Sequence, residues 1–159
     1  GAMVLQLAAL AGIRVVGTAG AERQEAVRRF GGIPVEYGPG LLARVRAAAP
    51  DGVVAALDAA GTAEAVETSL SLVADRSRII TVAAAPAARE YGFGWLAGTA
   101  PASAEFRNAV RPQLLSLLAE EKIIVPIARV VPLAQAREAL AEVAAGQAHG
   151  KVLLDARAG

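Results

Sequence analysis

Apolar and polar positions run along this chain in two rhythms. Residues 3–10 are apolar on every side except Gln6, the pattern of a buried helix, and Gly12 follows as a C-terminal stop. The β-branched run 13–17 predicts a strand. Residues 21–30 have helical spacing, with Ala26, Val27 and Phe30 on one face and Arg28 and Arg29 towards water, and Gly31 and Gly32 end the helix. A short strand is expected at 33–37 and a turn at 38–40. A helix at 41–49 then places Leu41, Leu42 and Val45 inward. After the turn at 50–52, the run 53–58 predicts a buried strand. Thr62 suits the N-cap of a helix over 63–73, with Val66, Leu70 and Val73 as its inner stripe, and 78–83 predicts the next strand.

From residue 84 to 102 the rhythm stops. Small residues, Gly, Pro and the sole Trp predict a loop with a short edge strand around 93–96. A helix follows Ser103, with Phe106, Val110, Leu114 and Leu117 inward. Pro112 is expected to kink it or reset its start. Residues 123–131 read as extended and broken by Pro126, 133–145 as a helix after Pro132, and 150–156 as a last strand. The strand–helix alternation, repeating every 20–25 residues or so, argues for a parallel sheet with right-handed crossovers.

Composition narrows the chemistry. The chain has 159 residues, enough for one core. Aromatics make up 4%, so Ala, Val, Leu and Ile must form that core. A net charge of +1 without a basic stripe leaves no footprint for nucleic acid. No apolar run approaches the ~18 residues of a membrane span. The first helix lacks a charged start or cleavage site and is not expected to be a signal peptide; a cytoplasmic location fits by default. With no Cys and one His, disulfides, thiolate ligands and a multi-histidine zinc site are excluded within this chain.

Ligands of open parallel sheets bind at the carboxyl ends of strands. After the first strand come Thr18, Ala19, Gly20, Ala21, Glu22 and Arg23. Arg23 could grip the 2′-phosphate of NADP, or be a solvated first-turn residue whose field Glu22 partly cancels. Tyr37 ends the second strand and could stack on adenine, donate to a phosphate, or cover the sheet rim. Asp58, Ala59, Ala60 and Gly61 end the third, where small residues suit either a cofactor or a tight turn. Ala83, Ala84, Ala85 and Pro86 end the fourth. Four strand ends without bulk suggest that something flat runs along this edge. The G-x-G-x-x-G, P-loop and G-x-S-x-G motifs are absent. Tyr91 has no Lys four residues on; His149 reads more readily as a loop residue or a cofactor contact than as a base, and Lys151 as an exposed strand residue rather than a catalytic amine.

The runs QLAALAGIRVVGTAG, VEYG, ALDAAGTAEAVETSLSLVADRSRIITVA and LLSLLAEEKIIVPIARVVPLAQAREALAEVAAGQAHGKVLL resemble the nucleotide-binding half of medium-chain dehydrogenases/reductases. The quinone oxidoreductase-like branch, often labelled zinc-type alcohol dehydrogenase-like, is most similar. The Leu-Asp-Ala-Ala-Gly turn and the terminal Gly-x-x-x-Gly-Lys-Val-Leu-Leu carry the resemblance most specifically.

The resemblance implies a Rossmann-like doubly wound parallel sheet flanked by helices, lacking its first strand and most of the Gly-rich loop, with a C-terminal return segment at 123–159. The GroES-like catalytic domain would lie outside this chain, and with it the catalytic residues and any zinc ligands. Gly1 matches the final glycine of the phosphate loop. Ala21 and Gln24 stand where the family often has Ser or Thr and a phosphate-binding Lys, and Arg23 could replace that charge. Tyr37 matches a Tyr near the adenosine phosphate. Val82, Ala83 and Ala84 match the loop beside the nicotinamide, and His149 and Lys151 a cofactor-side corner. The edge at 93–96 matches a homodimer seam. The implied function is the cofactor-binding portion of an NADPH-dependent oxidoreductase reducing a quinone, carbonyl or activated alkene. A non-catalytic Rossmann-like module and an enoyl reductase fragment of a polyketide or fatty-acid synthase remain open.

Overall fold

The computed structural model describes residues 1–148 and 150–158. In chain order the elements are α1 (Ala2–Leu10), β1 (Val16–Ala19), α2 (Gln24–Arg29), β2 (Ile33–Glu36), α3 (Leu41–Ala48), β3 (Ala56–Asp58) and α4 (Ala63–Leu72). Then follow β4 (Ile79–Thr81), α5 (Ala85–Tyr91), β5 (Gly94–Trp95), α6 (Pro101–Ala119), β6 (Ile127–Pro132), α7 (Ala136–Ala144) and β7 (Lys151–Asp155). Every strand pair is parallel. The α/β class with flanking helices therefore holds, but the strands lie in three hydrogen-bonded groups, β1-β2, β3-β4-β5 and β6-β7.

Glycine stops the first two helices by one mechanism. After α1, Gly12 takes φ +69°. Its N–H donates to Ala9 O and that of Ile13 to Ala8 O. Gly31, at φ +85°, repeats the arrangement after α2, with Gly31 N–H to Arg28 O and Gly32 N–H to Val27 O. These paired bonds satisfy the last carbonyls of each helix. They also shorten the first strand. Ile13 is taken up by the helix cap and stands 60% exposed, so β1 begins at Val16.

Gly17 and Gly32 let two helices approach β1 closely. A Cβ at Gly17 would meet Val27 Cγ1 at 2.9 Å, and one at Gly32 would meet Leu5 Cδ2 at 2.8 Å. Leu5, Val27 and Phe30 form a small core there, with Ala2, Val15, Ala19 and Ile124 packed against it. Ala26, expected to face inward, is exposed. Two further clusters, around Val35, Leu41 and Val45 and around Val66, Val73, Ile79, Ala84, Ala88 and Phe93, share Val53 and Leu72 as packing partners. These shared side chains join the first strand group to the second.

Several expectations are corrected. Residues 53–58 do not form a strand buried on both faces: β3 pairs only with β4, and Val54 and Leu57 stay exposed. The 84–102 region contains a helix, α5, which Pro86 tolerates because it sits in the first turn. Gly92, at φ +71°, ends it. Helix α6 starts at Pro101 and runs through Pro112 without restarting. Its intended inner stripe is not buried. Phe106 is 67% exposed, and Val110, Leu114 and Leu117 line only a shallow groove with Leu7.

Helix α1 likewise exposes Leu10, and the polar residue Gln6 is one of its two buried side chains. The reason is a long-range tether. Gln6 Nε2 donates to Ile124 O at 3.0 Å and to Ala2 O at 3.2 Å, while Ile124 N–H donates to Gln6 Oε1 at 2.7 Å. One amide thus ties the C-terminal segment to α1. Gln6→Ala leaves both Ile124 backbone groups unpaired and is expected to cost about 1–2 kcal/mol. Thermal denaturation checks this; an unchanged midpoint would contradict it.

Candidate functional site

The carboxyl ends of β1 and β2, and those of β3 and β4, lie on one side of each parallel pair, and the hydrogen bond from the Gly38 N–H after β2 to Glu64 Oε2 at the start of α4 brings the two sets of ends into one ledge. Its centre is built around two buried side chains. Asp58 ends β3 at 5% exposure and Thr81 ends β4 fully buried. Asp58 Oδ1 accepts the N–H groups of Ala60 and Gly61, both at 2.9 Å. Thr81 Oγ1 donates to Asp58 Oδ2 at 2.7 Å and accepts the N–H groups of Ala83 and Ala84 at 3.0 and 2.9 Å. Val82 N–H donates to Asp58 O. Every polar atom of the pair is satisfied from within, as buried polar groups must be. The two turns are also in contact: a Cβ at Gly61 would stand 2.9 Å from Ala83 O.

This network decides which groups a ligand could reach. Asp58, read from sequence as a cofactor contact, has its carboxylate turned into the protein to hold the turns. Ala84 is buried behind it, whereas Ala59, Ala60, Val82 and Ala83 are exposed. The outward surface here is the methyl groups of Ala59, Ala60 and Ala83, the Val82 side chain and backbone.

The β1 end is open as well. Thr18 and Ala21 are exposed. Arg23 is half exposed, and its Nε lies 3.6 Å from Glu22 Oε1. The Glu22 carboxylate folds back over the strand end, where a Cβ at Gly20 would stand 2.6 Å from Oε2. A guanidinium and a carboxylate therefore share this corner. Gly1 caps α1, which returns into β1 through the Gly12 turn and so starts at the same end as the ledge. Tyr37 follows β2 and is 58% exposed. Lys151 opens β7, its N–H donating to Pro126 O. No hydrogen bond or ion pair joins it to the ledge among the described residues, and His149 lies outside them.

Sequence reasoning missed Thr81, Arg44 and Glu64. Thr81 had one signal, a hydroxyl closing the apolar run Ile79, Ile80. Arg44 sits inside a helix pattern and Glu64 reads as a first-turn acid, so neither announces a long-range partner.

Among the described residues, three exposed groups have displaced pKa values. Hydrogen bonds from the Ser77 hydroxyl and amide hold Asp75 below the usual carboxylate range. Lys122 and Ser116 do the same for Glu120. A hydrogen bond to Glu90 raises the Tyr91 phenol.

A family model described as zinc-binding dehydrogenase matches residues 34–154. The chain belongs to that family. No sequence among the curated proteins matches it. Among solved structures, mycobacterial Rv1454c complexed with NADPH aligns over 97% of this chain and 52% of its own, with 23% identity and a TM-score of 0.75. A quinone oxidoreductase from Pseudomonas syringae pv. Tomato DC3000 aligns over 97% and 52%, with 20% identity and a TM-score of 0.73. An NAD-dependent alcohol dehydrogenase aligns over 97% and 47%, with 22% identity and a TM-score of 0.75. At these identities the likeness is one of fold. The chain spans about half the length of these structures.

Zinc-binding dehydrogenase, as a family description, implies a metal that this chain's described residues do not fit. Among them no three His, Cys, Asp or Glu side chains converge, and the chain has no Cys. The donor set of a zinc site is therefore not assembled here. Also among the described residues, no helix is long and apolar enough to cross a membrane.

The shared hydroxyl of Thr81 has a direct consequence. Thr81→Val keeps the shape but leaves Asp58 Oδ2 and the N–H groups of Ala83 and Ala84 without these partners. A loss of about 3 kcal/mol is expected, read as a lower urea midpoint. A variant as stable as the parent would contradict the network.

Proposed function

We propose that this chain is the nucleotide-binding portion of an NADPH-dependent oxidoreductase that reduces a quinone, carbonyl or activated alkene by hydride transfer. The observation that carries the proposal is the ledge itself. The ends of β1, β3 and β4 present small side chains and open backbone, the end of β2 presents Tyr37, and a buried Asp58–Thr81 lock keeps the turns after β3 and β4 in shape. Family membership supports the same reading.

In this reading Thr18, Ala21 and Arg23 meet the adenosine ribose, and Tyr37 meets the adenine side. Ala59 with Val82 and Ala83 borders the nicotinamide, and Ala84 backs them from within. Gly1 lies towards the pyrophosphate, and Lys151 and His149 are assigned to the cofactor side. The cofactor, when bound, supplies the hydride; the protein orients it and limits water. Asp58 acts from behind, holding the turn rather than touching the ligand.

The pairing of Arg23 with Glu22 sets the preference between the two nicotinamide cofactors. A carboxylate at this corner favours a ribose hydroxyl, and a free guanidinium favours the 2′-phosphate. Fluorescence titration of the purified protein should show binding of NADPH. Glu22→Gln should shift the NADPH-to-NADH affinity ratio towards NADPH by about threefold, the scale of an exposed ion pair. A quinone and enone panel then tests turnover. Absence of binding for both nucleotides would contradict the assignment.

We also propose a homodimer seam along β5. This two-residue strand is paired on one side only. Phe93 belongs to the core, but Trp95 and Leu96 stay exposed, with the Arg89 guanidinium 5.1 Å from the Trp95 ring centroid. An unprotected apolar edge invites pairing. Sedimentation should show a dimer that Trp95→Lys converts to monomer. A monomer at all concentrations would contradict the seam.

A further inference from the structure

Tyr37 is an exposed ring on a backbone that is pinned from two sides. Arg44, on α3, reaches back over the loop that follows β2. Its Nε donates to Glu36 O at 2.9 Å, its Nη1 to Pro39 O at 2.8 Å and its Nη2 to Gly38 O at 2.8 Å. From α4, Glu64 Oε2 accepts the Gly38 N–H at 2.9 Å. Each peptide unit flanking Tyr37 is thereby held: the Glu36–Tyr37 unit through its C=O by Arg44, and the Tyr37–Gly38 unit through its N–H by Glu64. The loop needs such support. Gly38 and Gly40 both adopt positive φ, at +99° and +87°, and nothing stands within 4 Å of where a Cβ on Gly38 would be. A glycine-rich loop of this kind would otherwise sample many conformations. The Tyr37 hydroxyl itself makes no hydrogen bond among the described residues.

Two charged side chains from different helices thus fix the backbone that carries one exposed aromatic side chain, a ring that packs into no core cluster among the described residues. A surface tyrosine needs no such restraint for stability. A ring that must receive a flat partner does, because order established before binding is not charged against affinity. We infer that Arg44 and Glu64 are positioning residues that pre-set Tyr37 as a stacking platform for the adenine end of the nucleotide. This rests on the function proposed above. Arg44 acts through its geometry, since its three donors are all directed at backbone carbonyls. Glu64 acts as a hydrogen-bond acceptor, so its charge is not the essential property.

The test is a set of variants titrated with NADPH and with 2′,5′-ADP, which carries only the adenosine half. Arg44→Met, Glu64→Ala and Tyr37→Ala should each weaken both ligands by about tenfold, the scale of losing a charge-assisted hydrogen bond or a stacking contact. The Arg44→Met/Tyr37→Ala double variant should bind no more weakly than Tyr37→Ala alone, because Arg44 works through that ring. Glu64→Gln keeps an acceptor for the Gly38 N–H and should bind as the parent does. Hydrogen exchange of the Gly38 amide, measured without nucleotide, should accelerate in Glu64→Ala and not in Glu64→Gln. This separates an ordered loop from an unfolded variant.

Additive losses in the double variant would overturn the inference. So would undiminished binding by Arg44→Met, or tighter binding by Glu64→Gln than by the parent, which would make Glu64 a simple anion repeller. A parent protein that binds neither ligand would overturn the proposed function itself and this role with it. Parent binding that all the variants share overturns only the clamp.

Discussion

The hydrogen bond from Thr81 to Asp58 holds the centre of this molecule together. It joins the last residues of two neighbouring strands, and each partner then organises the turn that follows it. Asp58 gathers the amides of Ala60 and Gly61, and Thr81 gathers those of Ala83 and Ala84. A carboxylate at 5% exposure is tolerable because all its partners are donors, two of them backbone amides at a turn. The consequence is local and specific. The polar atoms face inward, and the outer surface of the turns is left with methyl groups and peptide edges.

The same pattern, polar side chains engaged with backbone, recurs towards the rim. Arg44 and Glu64 fix the loop after β2, and the amide of Gln6 ties Ile124 to the first helix. Each spans two parts of the chain. Glu64 in particular links the first turn of α4 to the loop after β2, across two separate hydrogen-bonded strand groups. The exposed ion pairs, such as Arg14–Asp51 and Arg28–Glu25, have no such reach and contribute little.

Much of this was legible before any coordinates. Gly12 and Gly31 stop helices where a left-handed residue is required, and Thr62 caps α4 by accepting the Ala65 amide. The alternation of strand and helix predicted parallel pairing. What failed has physical causes. Helix α5 was hidden because Pro86 and a run of alanines look like a loop unless the proline is seen to sit in the first turn. The α6 stripe was predicted to be buried from periodicity alone, yet periodicity records only that a face is apolar, not that something covers it. Val54 and Leu57 show the same gap on β3. At the site, the small residues of the Asp58–Gly61 turn were recognised, but the direction of the Asp58 carboxylate depends on Thr81, 23 residues away. No local pattern encodes that partner, and none encodes the reach of Arg44 to Glu36.

The central claim is that a nicotinamide nucleotide lies along the ledge of strand ends. Amide chemical-shift mapping of the protein during NADPH titration tests it most directly. The account predicts that the perturbed amides group at Thr18, Tyr37, Gly38, Ala59, Ala60, Val82 and Ala83, residues distant in sequence and joined only by the ledge. Shifts confined instead to the groove between α1 and α6, around Leu7 and Leu114, would contradict it.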